Sequence, residues 1–533
     1  MNKLSMPKTG FAGFKENWKT DLTSGILVAL IALPLSLGIA SASGFPPVMG
    51  VLTAIVGGLI VSFFAGSELT IKGPAAGLIV IVASAVEELG RGDADLGWKL
   101  ALAVVFAAGV VQIVFGLLKV ARFADFFPLA AVHGMLAAIG ILIMAKQLHF
   151  ALGVAPKLLK GKSPLELIMM IPESLIHLNA YIATIGIVSL VILFGMPLIK
   201  HPVVKKIPAA LVVIVVAIIL EKAFHLEGEE FKNLNPLVNP GDFQLNFNVD
   251  FSAITNPELF PIFLKYLLMF ALVGTLESLL TGKAIDLLDP YKRRSHLSKD
   301  VVAVGIGNTV SGLLGGLPMI SEVARSSANI HNGGKTRWAN FFHGAVLLVC
   351  VVLLVPVIKM IPVVALSSLL IFVGFKLAHP REFFHTYHLG KEQLAIFITT
   401  IFFTIVEDLL IGIAAGILLK FIIHLLNGMP MKNSFKSNYQ IVVKSEGNYL
   451  MTVNNSAVFT NFLGLKKGLA KLPAKQHVEI DFSNCTLVDH TVMKNVSQFM
   501  KEYNADGGKL SIIGLNNHKS LSHDALSTKK LVK

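Results

Sequence analysis

Long apolar runs separated by short polar or basic stretches dominate the first 427 residues of the chain. Runs of about 17–25 mostly apolar residues have the length that crosses a bilayer as a helix. The pattern predicts an α-helical polytopic membrane protein with a transmembrane domain over 21–427. The expected 14 segments are 22–43, 47–66, 73–89, 98–118, 127–146, 179–199, 207–222, 260–281, 300–315, 318–331, 338–359, 362–375, 393–408 and 409–427.

After residue 427 the pattern changes to shorter runs of two kinds. YQIVVKSE, YLMTVNN, HVEIDFS and KLSIIGL are typical of strands, whereas NFLGLKKGLAKL and TVMKNVSQFMKEYNADGG are typical of helices. Their alternation predicts a small α/β domain with a mostly parallel sheet over 438–516. We expect 1–20 to form an N-terminal tail and 517–533 to form a flexible tail.

Composition supports a membrane protein and excludes two other classes. The 533 residues are 54% hydrophobic and 15% charged, with a mean hydropathy of +0.70. Soluble domains carry about 25% charged residues, and disordered chains are poor in apolar residues. The net charge is +13, but the basic residues lie in short loops and form no single basic face. The expected surroundings are therefore a lipid bilayer, and nucleic acid is not an expected partner.

Loop charges predict the orientation of the chain. Lys and Arg are retained on the cytoplasmic side, and in a 14-segment arrangement most basic loops fall on one side. The acidic loop 223–259 falls on the other side, so both termini are expected to be cytoplasmic, in a cell inner (plasma) membrane. One basic loop is an exception to this bias, because it would fall on the outer side: it contains Lys157, Lys160 and Lys162. The N-terminal stretch has no apolar core leading to a cleavage site, which predicts no cleaved signal.

Two membrane segments are interrupted by Gly and Pro at comparable places in the two halves of the chain. Gly73 and Pro74 open the third segment, and Pro318 opens the tenth. Such pairs indicate an inverted-repeat transporter, in which half-helices aim their positive N-termini at an anion near the bilayer midplane. The alternative is two ordinary proline kinks.

Arg325 follows Pro318 closely and has hydroxyl side chains around it. Ser321, Ser326 and Ser327 are its polar neighbours in the sequence. A cation beside helix N-termini favours an anion, which makes this the candidate anion site. Alternatively, Arg325 neutralises Glu322 as a structural ion pair, and both roles are compatible.

Glu277 lies deep inside the eighth segment, and Thr281 follows one helical turn later. Their spacing places both side chains on one helix face, where they could hold a sodium ion or a proton. A carboxylate that bridges helices is the alternative. Glu407 and Asp408, at the junction of the last two segments, fit helix-end or interface charges better than ligands.

Signals for enzymatic chemistry are weak. His201, His385 and His388 are scattered and form no HExxH motif or Ser-His-Asp grouping. The chain has no GxxxxGK[ST] loop for ATP, and its two cysteines, Cys350 and Cys485, form no metal-ligand spacing. We therefore expect no catalytic residues and no cofactor, with energy supplied by a sodium, proton or substrate gradient.

The chain resembles the sulfate permease (SulP) family of inorganic anion transporters over nearly its whole length. The resembling stretches are TSGILVALIALPLSLGIASASGFPPVMGVLTAIVGGLIVSFFAGS, IKGPAAG, LESLLTGKAID and GNTVSGLLGGLPMISEVARSSANIHNGGKTR. The resemblance implies 14 segments in two inverted seven-segment repeats, with a core domain that moves against a gate domain like an elevator. It also implies a homodimer and a cytoplasmic STAS domain, which could have a cytoplasmic partner.

The resemblance also implies the site residues. In this family the anion lies between the N-termini of the third and tenth segments, and the first segment forms a wall. The matching positions are Leu35, Ile39, Ala75, Ala76, Ser321, Glu322, Ala324, Arg325 and Ser326. Glu277 and Thr281, with Ser278 beside them, match the cation-coupling position. Sodium-binding members carry Asp there, whereas Glu looks like proton-coupled or uncoupled members, so the coupling ion stays open.

Two departures from the family pattern bear on these expectations. IALPLSLG lacks the Gln often found beside the site, which predicts an apolar first-segment wall. His490 stands where related anti-sigma antagonist domains carry a phosphorylatable Ser. A phosphorylation switch is therefore not expected, unless Thr491 substitutes.

These features favour a symporter of bicarbonate or a similar inorganic anion. The form GLPMISEVARSSANI resembles bacterial members associated with carbonic anhydrases, and a single arginine facing Glu322 balances a monovalent anion more easily than sulfate. Sulfate, chloride and a small dicarboxylate remain alternatives. A nucleobase transporter fits less well because of Arg325, and an anion channel or a STAS-linked sensor is the third class.

Overall fold

The structure is a computed structural model that describes residues 6–119, 128–159, 162–201, 204, 207–226, 228, 231, 233–238 and 247–532. Lys160 and parts of the predicted loop 223–259 lie outside the described residues. The chain divides into two compact units. Unit 1 comprises Met1–Ala121 and Ile139–Leu377, and unit 2 comprises Arg122–Ala138 and Ala378–Lys533.

Helices and one short strand pair build the part of the chain up to Leu377. The helices are α1 Gly10–Ala42, α2 Pro47–Leu59, α3 Val61–Phe64, α4 Ile79–Gly90, α5 Ala94–Leu117, α6 Leu129–Ala151, α7 Pro156–Leu159, α8 Pro164–Met169, α9 Ile171–Ile176, α10 Ala180–Gly195, α11 Ala209–Ala223, α12 Ser252–Thr255, α13 Phe260–Leu288, α14 Leu297–Leu314, α15 Val323–His331, α16 Trp338–Leu353, α17 Val355–Ile358 and α18 Val363–Leu377. The strands are β1 Ile71–Pro74 and β2 Met319–Glu322.

Local signals explain where several of these helices begin and end. The Asp93 side chain caps α5 by accepting hydrogen bonds from Asp95 N and Leu96 N. Asn179 caps α10 in the same way. Gly315 ends α14 at φ 96°, a left-handed conformation that a glycine adopts without strain.

Eight helical stretches of the described residues are long and apolar enough to cross a membrane. They are Gly10–Ala42, Pro47–Phe64, Ala94–Leu117, Leu129–Ala151, Ala180–Leu198, Phe260–Leu288, Val363–Leu389 and Leu409–Leu426. Trp338–Leu353 is apolar but shorter. The count of 14 segments stays a prediction, because several predicted segments correspond to short or broken helices.

Three predicted segment starts differ from the observed ones. α1 begins at Gly10, within the expected N-terminal tail and ahead of the predicted start at 22. The third and tenth segments do not open as helices at all, since each begins with an extended strand. Proline contributes to the extended start of the third segment, because Gly73 precedes Pro74 and the residue before a proline is pushed to extended conformations.

Glycines allow α2 and α16 to cross at close range. A Cβ on Gly344 would lie 2.7 Å from Gly58 Cα and 2.9 Å from Leu59 N. Side chains at this crossing would force the two helices apart, which costs packing elsewhere in unit 1.

Unit 2 continues with three helices and a sheet domain that contains two further helices. The helices are α19 Pro380–Leu389, α20 Lys391–Val406, α21 Leu409–Leu426, α22 Phe462–Leu469 and α23 His490–Ala505. The strands are β3 Asn438–Ser445, β4 Asn448–Ala457, β5 His477–Val488, β6 Lys509–Ile513, β7 His518–Ser520 and β8 Lys529–Leu531. They form one sheet in the order β3-β4-β5-β8-β7, with β6 also paired to β5.

The sheet corrects two expectations. It is mixed rather than mostly parallel, because β5 pairs in parallel with β4 and β6, while β3–β4, β5–β8 and β7–β8 are antiparallel. The expected flexible tail at 517–533 contains β7 and β8 and is therefore part of the sheet. Both strands are three residues long and polar, so no apolar alternation marked them in the sequence.

A buried ion pair joins α21 to the first turn of α23. Lys420 Nζ lies 3.1 Å from Asp489 Oδ2 and donates to Thr491 Oγ1 at 2.8 Å. Asp489 caps α23 by accepting from Val492 N at 2.8 Å. Burial alone would raise the pKa of Asp489, but the Lys420 ammonium and two backbone donors hold this pKa below its usual value.

We predict that Gly344→Val separates α2 from α16 and destabilises the protein by roughly 1–3 kcal/mol or prevents folding, because the new side chain has no space. Gly195→Val is the matched control, since a Cβ there meets nothing within 4 Å. The two variants are compared by their thermal unfolding and by the yield of monodisperse protein in detergent. Equal behaviour of the two variants would contradict the close crossing.

Candidate functional site

The candidate site is built on an antiparallel pairing of the two strands that precede the half-helices. Lys72 faces Ser321 in the register, and Gly73 faces Ile320. Ala75 N extends the pairing by donating to Pro318 O at 3.1 Å. A 3-10 turn at Ala76–Leu78 leads from β1 into α4, and β2 leads directly into α15. Because the pairing is antiparallel, the two half-helices begin at opposite ends of this short strand pair.

The first turn of α15 is capped by the side chain of the residue that precedes the helix. Glu322 Oε2 accepts from Arg325 N at 3.0 Å. Ser326 Oγ donates to Glu322 O at 2.5 Å and accepts from Ile71 N at 2.9 Å, which fastens α15 to β1. Ala324 is exposed, as is its neighbour Val323 at 46%. The amides of these two residues have no acceptor within the helix, so they offer donors to an anion.

Arg325 is completely buried next to the paired strands β1 and β2. Its Nη2 donates to Ser36 Oγ at 3.2 Å, and its Nε lies 3.6 Å from Glu322 Oε2, which is an ion pair but too long for a hydrogen bond. Within the described residues, Nε and Nη1 have no hydrogen-bond partner. Arg325 therefore neutralises Glu322 in part and retains donors for a further acceptor.

The wall from α1 is less apolar than predicted. Leu35 and Ile39 are buried in α1, and their place at the wall of an anion site stays a prediction. Ser36 between them was missed, although its hydroxyl receives the Arg325 guanidinium. A serine inside the apolar stretch IALPLSLG was the available signal, because a buried hydroxyl needs a partner.

Glu277 is the second carboxylate of the site. It is buried in α13, and within the described residues its Oε1 has no hydrogen-bond partner. A side chain at Gly77 would collide with this carboxylate, so the glycine is what lets the turn before α4 approach it. The helix that carries Glu277 packs against β2 and α15, at whose junction Glu322 lies. A buried carboxylate without a partner, near a second one, calls for a proton or a cation.

Two hydroxyl residues were predicted beside Glu277, namely Ser278 and Thr281, and within the described residues only for Ser278 does the structure show a hydrogen bond to another element. Ser278 Oγ accepts from Ser321 N at 3.2 Å and therefore joins α13 to β2. Thr281 is buried on the same helix, one turn after Glu277. Ala75 and Ala76 are buried at the turn after β1.

A buried ion pair next to the paired strands β1 and β2 was not predicted from the sequence. Lys72 Nζ lies 2.9 Å from Asp300 Oδ1, and both residues are almost fully buried. Asp300 Oδ2 accepts from Ser321 Oγ at 2.9 Å, and Oδ1 also accepts from Gly66 N at 3.0 Å. The signal was a lysine within the apolar stretch LTIKGPAAG, since an ionised side chain inside a membrane protein needs a partner.

The remaining candidates fall outside this site. Asp408 caps α21 by accepting from Ile411 N at 2.9 Å, and Glu407 is exposed beside it, which agrees with helix-end charges. His385 and His388 lie in α19 of unit 2. Among the described residues, no group of three or more His, Cys, Asp or Glu side chains is arranged to hold a metal ion.

Comparison with known sequences gives one family and several transporters. The sequence profile of the sulfate permease family matches residues 18–400. YvdB of Bacillus subtilis, whose name classes it provisionally as a sulfate transporter, is 28% identical over 77% of this chain and 74% of its own. The bicarbonate transporter BicA of Picosynechococcus is 25% identical over 82% of this chain and 75% of its own.

Solved structures agree with the fold. The transmembrane domain of a cyanobacterial bicarbonate transporter BicA matches with a TM-score of 0.64 and 25% identity, over 76% of this chain and 98% of that one. SLC26A9 matches with a TM-score of 0.67 over 94% of this chain and 85% of that one, and at 14% identity it shows the fold alone. The expected helical polytopic membrane fold is thereby confirmed.

We predict that Lys72→Met and Asp300→Asn each lower Tm strongly, because removing one partner of a buried ion pair costs about 3–5 kcal/mol. The double substitution is expected to cost less than the sum of the two. Lys99→Gln, at an exposed pair with Asp95, is the control and should change little. Additive losses in thermal unfolding would contradict the pairing.

Proposed function

The chain belongs to the sulfate permease family, and from this membership we propose that it is a secondary active transporter of a small inorganic anion, with bicarbonate as the preferred substrate. Transport is coupled to sodium or protons and follows an elevator-type mechanism, in which a core domain moves against a gate domain. The chain works as a homodimer in the inner membrane, with both termini cytoplasmic and a STAS domain at 438–516.

The observation that carries the proposal is the charge arrangement around Arg325. The guanidinium is buried against β1, from the first turn of α15, and keeps two nitrogens without hydrogen-bond partners among the described residues. An anion at the exposed first turn of α15 would meet backbone donors there and the field of this cation. The residues that we propose to line the anion site are Leu35, Ile39, Ala75, Ala76 and Ser321.

The carboxylates support symport with a cation. Glu277 and Glu322 together carry two negative charges against the single positive charge of Arg325. Adding an anion to a buried site that is already negative is costly in a low-dielectric interior. A proton or a sodium ion at Glu277, with Thr281 beside it, removes that cost. The anion and the cation would therefore bind together.

The same balance favours a monovalent anion. Bicarbonate with one coupling cation leaves the site less negative than sulfate does. The names of relatives support both substrates, since BicA proteins are named bicarbonate transporters and YvdB is classed with sulfate transporters. Sulfate, chloride or a dicarboxylate is the alternative substrate, and an anion channel or a STAS-linked sensor is the alternative class.

We predict that Arg325→Lys lowers uptake of labelled bicarbonate into proteoliposomes at least about tenfold, because lysine keeps the charge but loses the fork that spans Ser36 and the site. Arg91→Lys is the matched control, since Arg91 makes an exposed pair with Glu258. Full uptake by the Arg325 variant would show that the anion binds elsewhere.

We also predict that Glu277→Gln abolishes concentrative uptake and leaves at most equilibration, because a neutral amide cannot exchange a cation. Uptake is measured with and without an imposed sodium or proton gradient. Glu407→Gln, at an exposed position, should keep the gradient response. Gradient-driven accumulation that survives Glu277→Gln would disprove the coupling role.

A further inference from the structure

The first turns of α1 extend beyond the length that is needed to cross a bilayer. α1 is a single helix of 33 residues, and at about 1.5 Å per residue its length is about 50 Å. The hydrocarbon region of a membrane is about 30 Å thick, and a tilt of about 20° takes up only about 3 Å of the difference. Because the apolar part of the helix begins near residue 22, we expect residues 10–21 to lie at the level of the lipid headgroups.

The two sides of this stretch differ in burial and in chemistry. Gly13, Asn17 and Asp21 recur every four residues and are buried. The opposite side is exposed and carries two aromatic and two basic side chains, which are Phe11, Lys15, Trp18 and Lys19. Their spacing places these four residues, the outward face of α1, on one side of the helix. Aromatic rings and long basic side chains are the combination typical of a membrane–water interface.

The two lysines of the outward face lie over its two aromatic rings. Lys15 Nζ is 5.6 Å from the centre of the Phe11 ring, and Lys19 Nζ is 5.6 Å from the centre of the Trp18 ring. Both distances are within the range of a cation–π contact. Within the described residues, neither ammonium forms an ion pair with a carboxylate. Both ammonium groups therefore keep hydrogens to donate to an anionic acceptor.

Aromatic contacts connect the outward face to two neighbouring helices. Trp338 Nε1, at the start of α16, donates to Gly10 O at 2.9 Å. The Trp338 ring contacts the rings of Phe11 and Phe14 in α1 and that of Phe63 in α3. Phe11 and Phe63 are nevertheless more than half exposed. An apolar surface thus continues from α1 onto α3, which suits an extended partner such as a lipid layer.

The charges around the outward face favour an anionic partner. Lys8 is exposed just before the helix and adds a third positive charge. Glu16 is the one exposed carboxylate of residues 6–20, and it lies about 100° around the helix from Lys15. Asp21 is buried and accepts from Lys335 N and Thr336 N. Three positive charges and one negative charge therefore face outward, and basic residues at this level attract anionic lipids.

We propose that the outward face of α1 binds the headgroups of anionic phospholipids. The phosphate oxygens accept from Lys15 and Lys19, while the rings of Phe11 and Trp18 lie between the lipid chains just below. A zwitterionic phospholipid meets the same rings, but its own cationic group opposes the lysines, so it binds more weakly. The inference does not depend on which ion is transported, because it uses only the membrane location and residues of unit 1.

The test measures quenching of Trp18 fluorescence in the full-length protein reconstituted in nanodiscs. The chain has three tryptophans, so the Trp18 signal is the difference between the protein and its Trp18→Phe variant. Phosphatidylglycerol brominated near the headgroup is mixed with unlabelled phosphatidylcholine, and the reverse pair is measured in parallel. We expect phosphatidylglycerol to quench Trp18 at a mole fraction at least about tenfold lower. This preference should weaken as salt is added, because exposed charges are screened.

Variants with altered charge decide which groups recognise the lipid. Lys15→Gln and Lys19→Gln should each reduce the preference for phosphatidylglycerol about fivefold, and the double variant should remove it. Glu16→Gln should strengthen the preference, because it removes the one exposed negative charge of this stretch. Lys501→Gln is the charge-matched control, exposed on α23 of the sheet domain, and should leave the preference unchanged.

Two results would overturn the proposal. The first is equal quenching by the two brominated lipids, or a preference that survives in the Lys15→Gln/Lys19→Gln double variant with an unchanged Tm. The second is a Trp18 that neither lipid quenches. In that case a protein surface, such as a second copy of this chain, covers the outward face in place of lipid.

Discussion

The antiparallel pairing of β1 with β2 is the constraint on which the candidate site depends. It places the starts of α4 and α15 at the two ends of one short strand pair, and the buried Arg325 guanidinium lies against Gly73 of β1, close to the positive end of α15. Groups of like sign repel one another, so this arrangement needs negative charge close by. Glu322 caps α15, and Glu277 lies against Gly77 at the turn before α4. The proposed anion recognition and the proposed need for a cation thus have the same structural origin.

The Lys72–Asp300 ion pair makes the paired strands β1 and β2 rigid. Asp300 receives the ammonium of β1, the hydroxyl of Ser321 in β2 and the backbone amide of Gly66. A carboxylate with donors from three segments holds those segments in one arrangement. The two strands and the loop before β1 are therefore fixed relative to one another.

Parts of the site could be predicted because charges inside apolar segments are costly. Arg325 and Glu277 stood out for this reason, Ser321 stood out as a hydroxyl close to Arg325 in the sequence, and the prolines marked the two interrupted segments. The partner of Lys72 could not be predicted, since Asp300 lies 228 residues away and only the fold brings it close. Ser36 was hidden by its small size, and β7 and β8 were too short and too polar to show a strand pattern.

The most direct test of the central claim is uptake of labelled bicarbonate by the wild-type protein in proteoliposomes, with sulfate measured in parallel. An inward sodium or proton gradient is imposed, and uptake is followed as a function of substrate concentration. The account predicts saturable bicarbonate accumulation above equilibrium that collapses when the cation gradient is dissipated. Linear flux that only follows the anion gradient would contradict it.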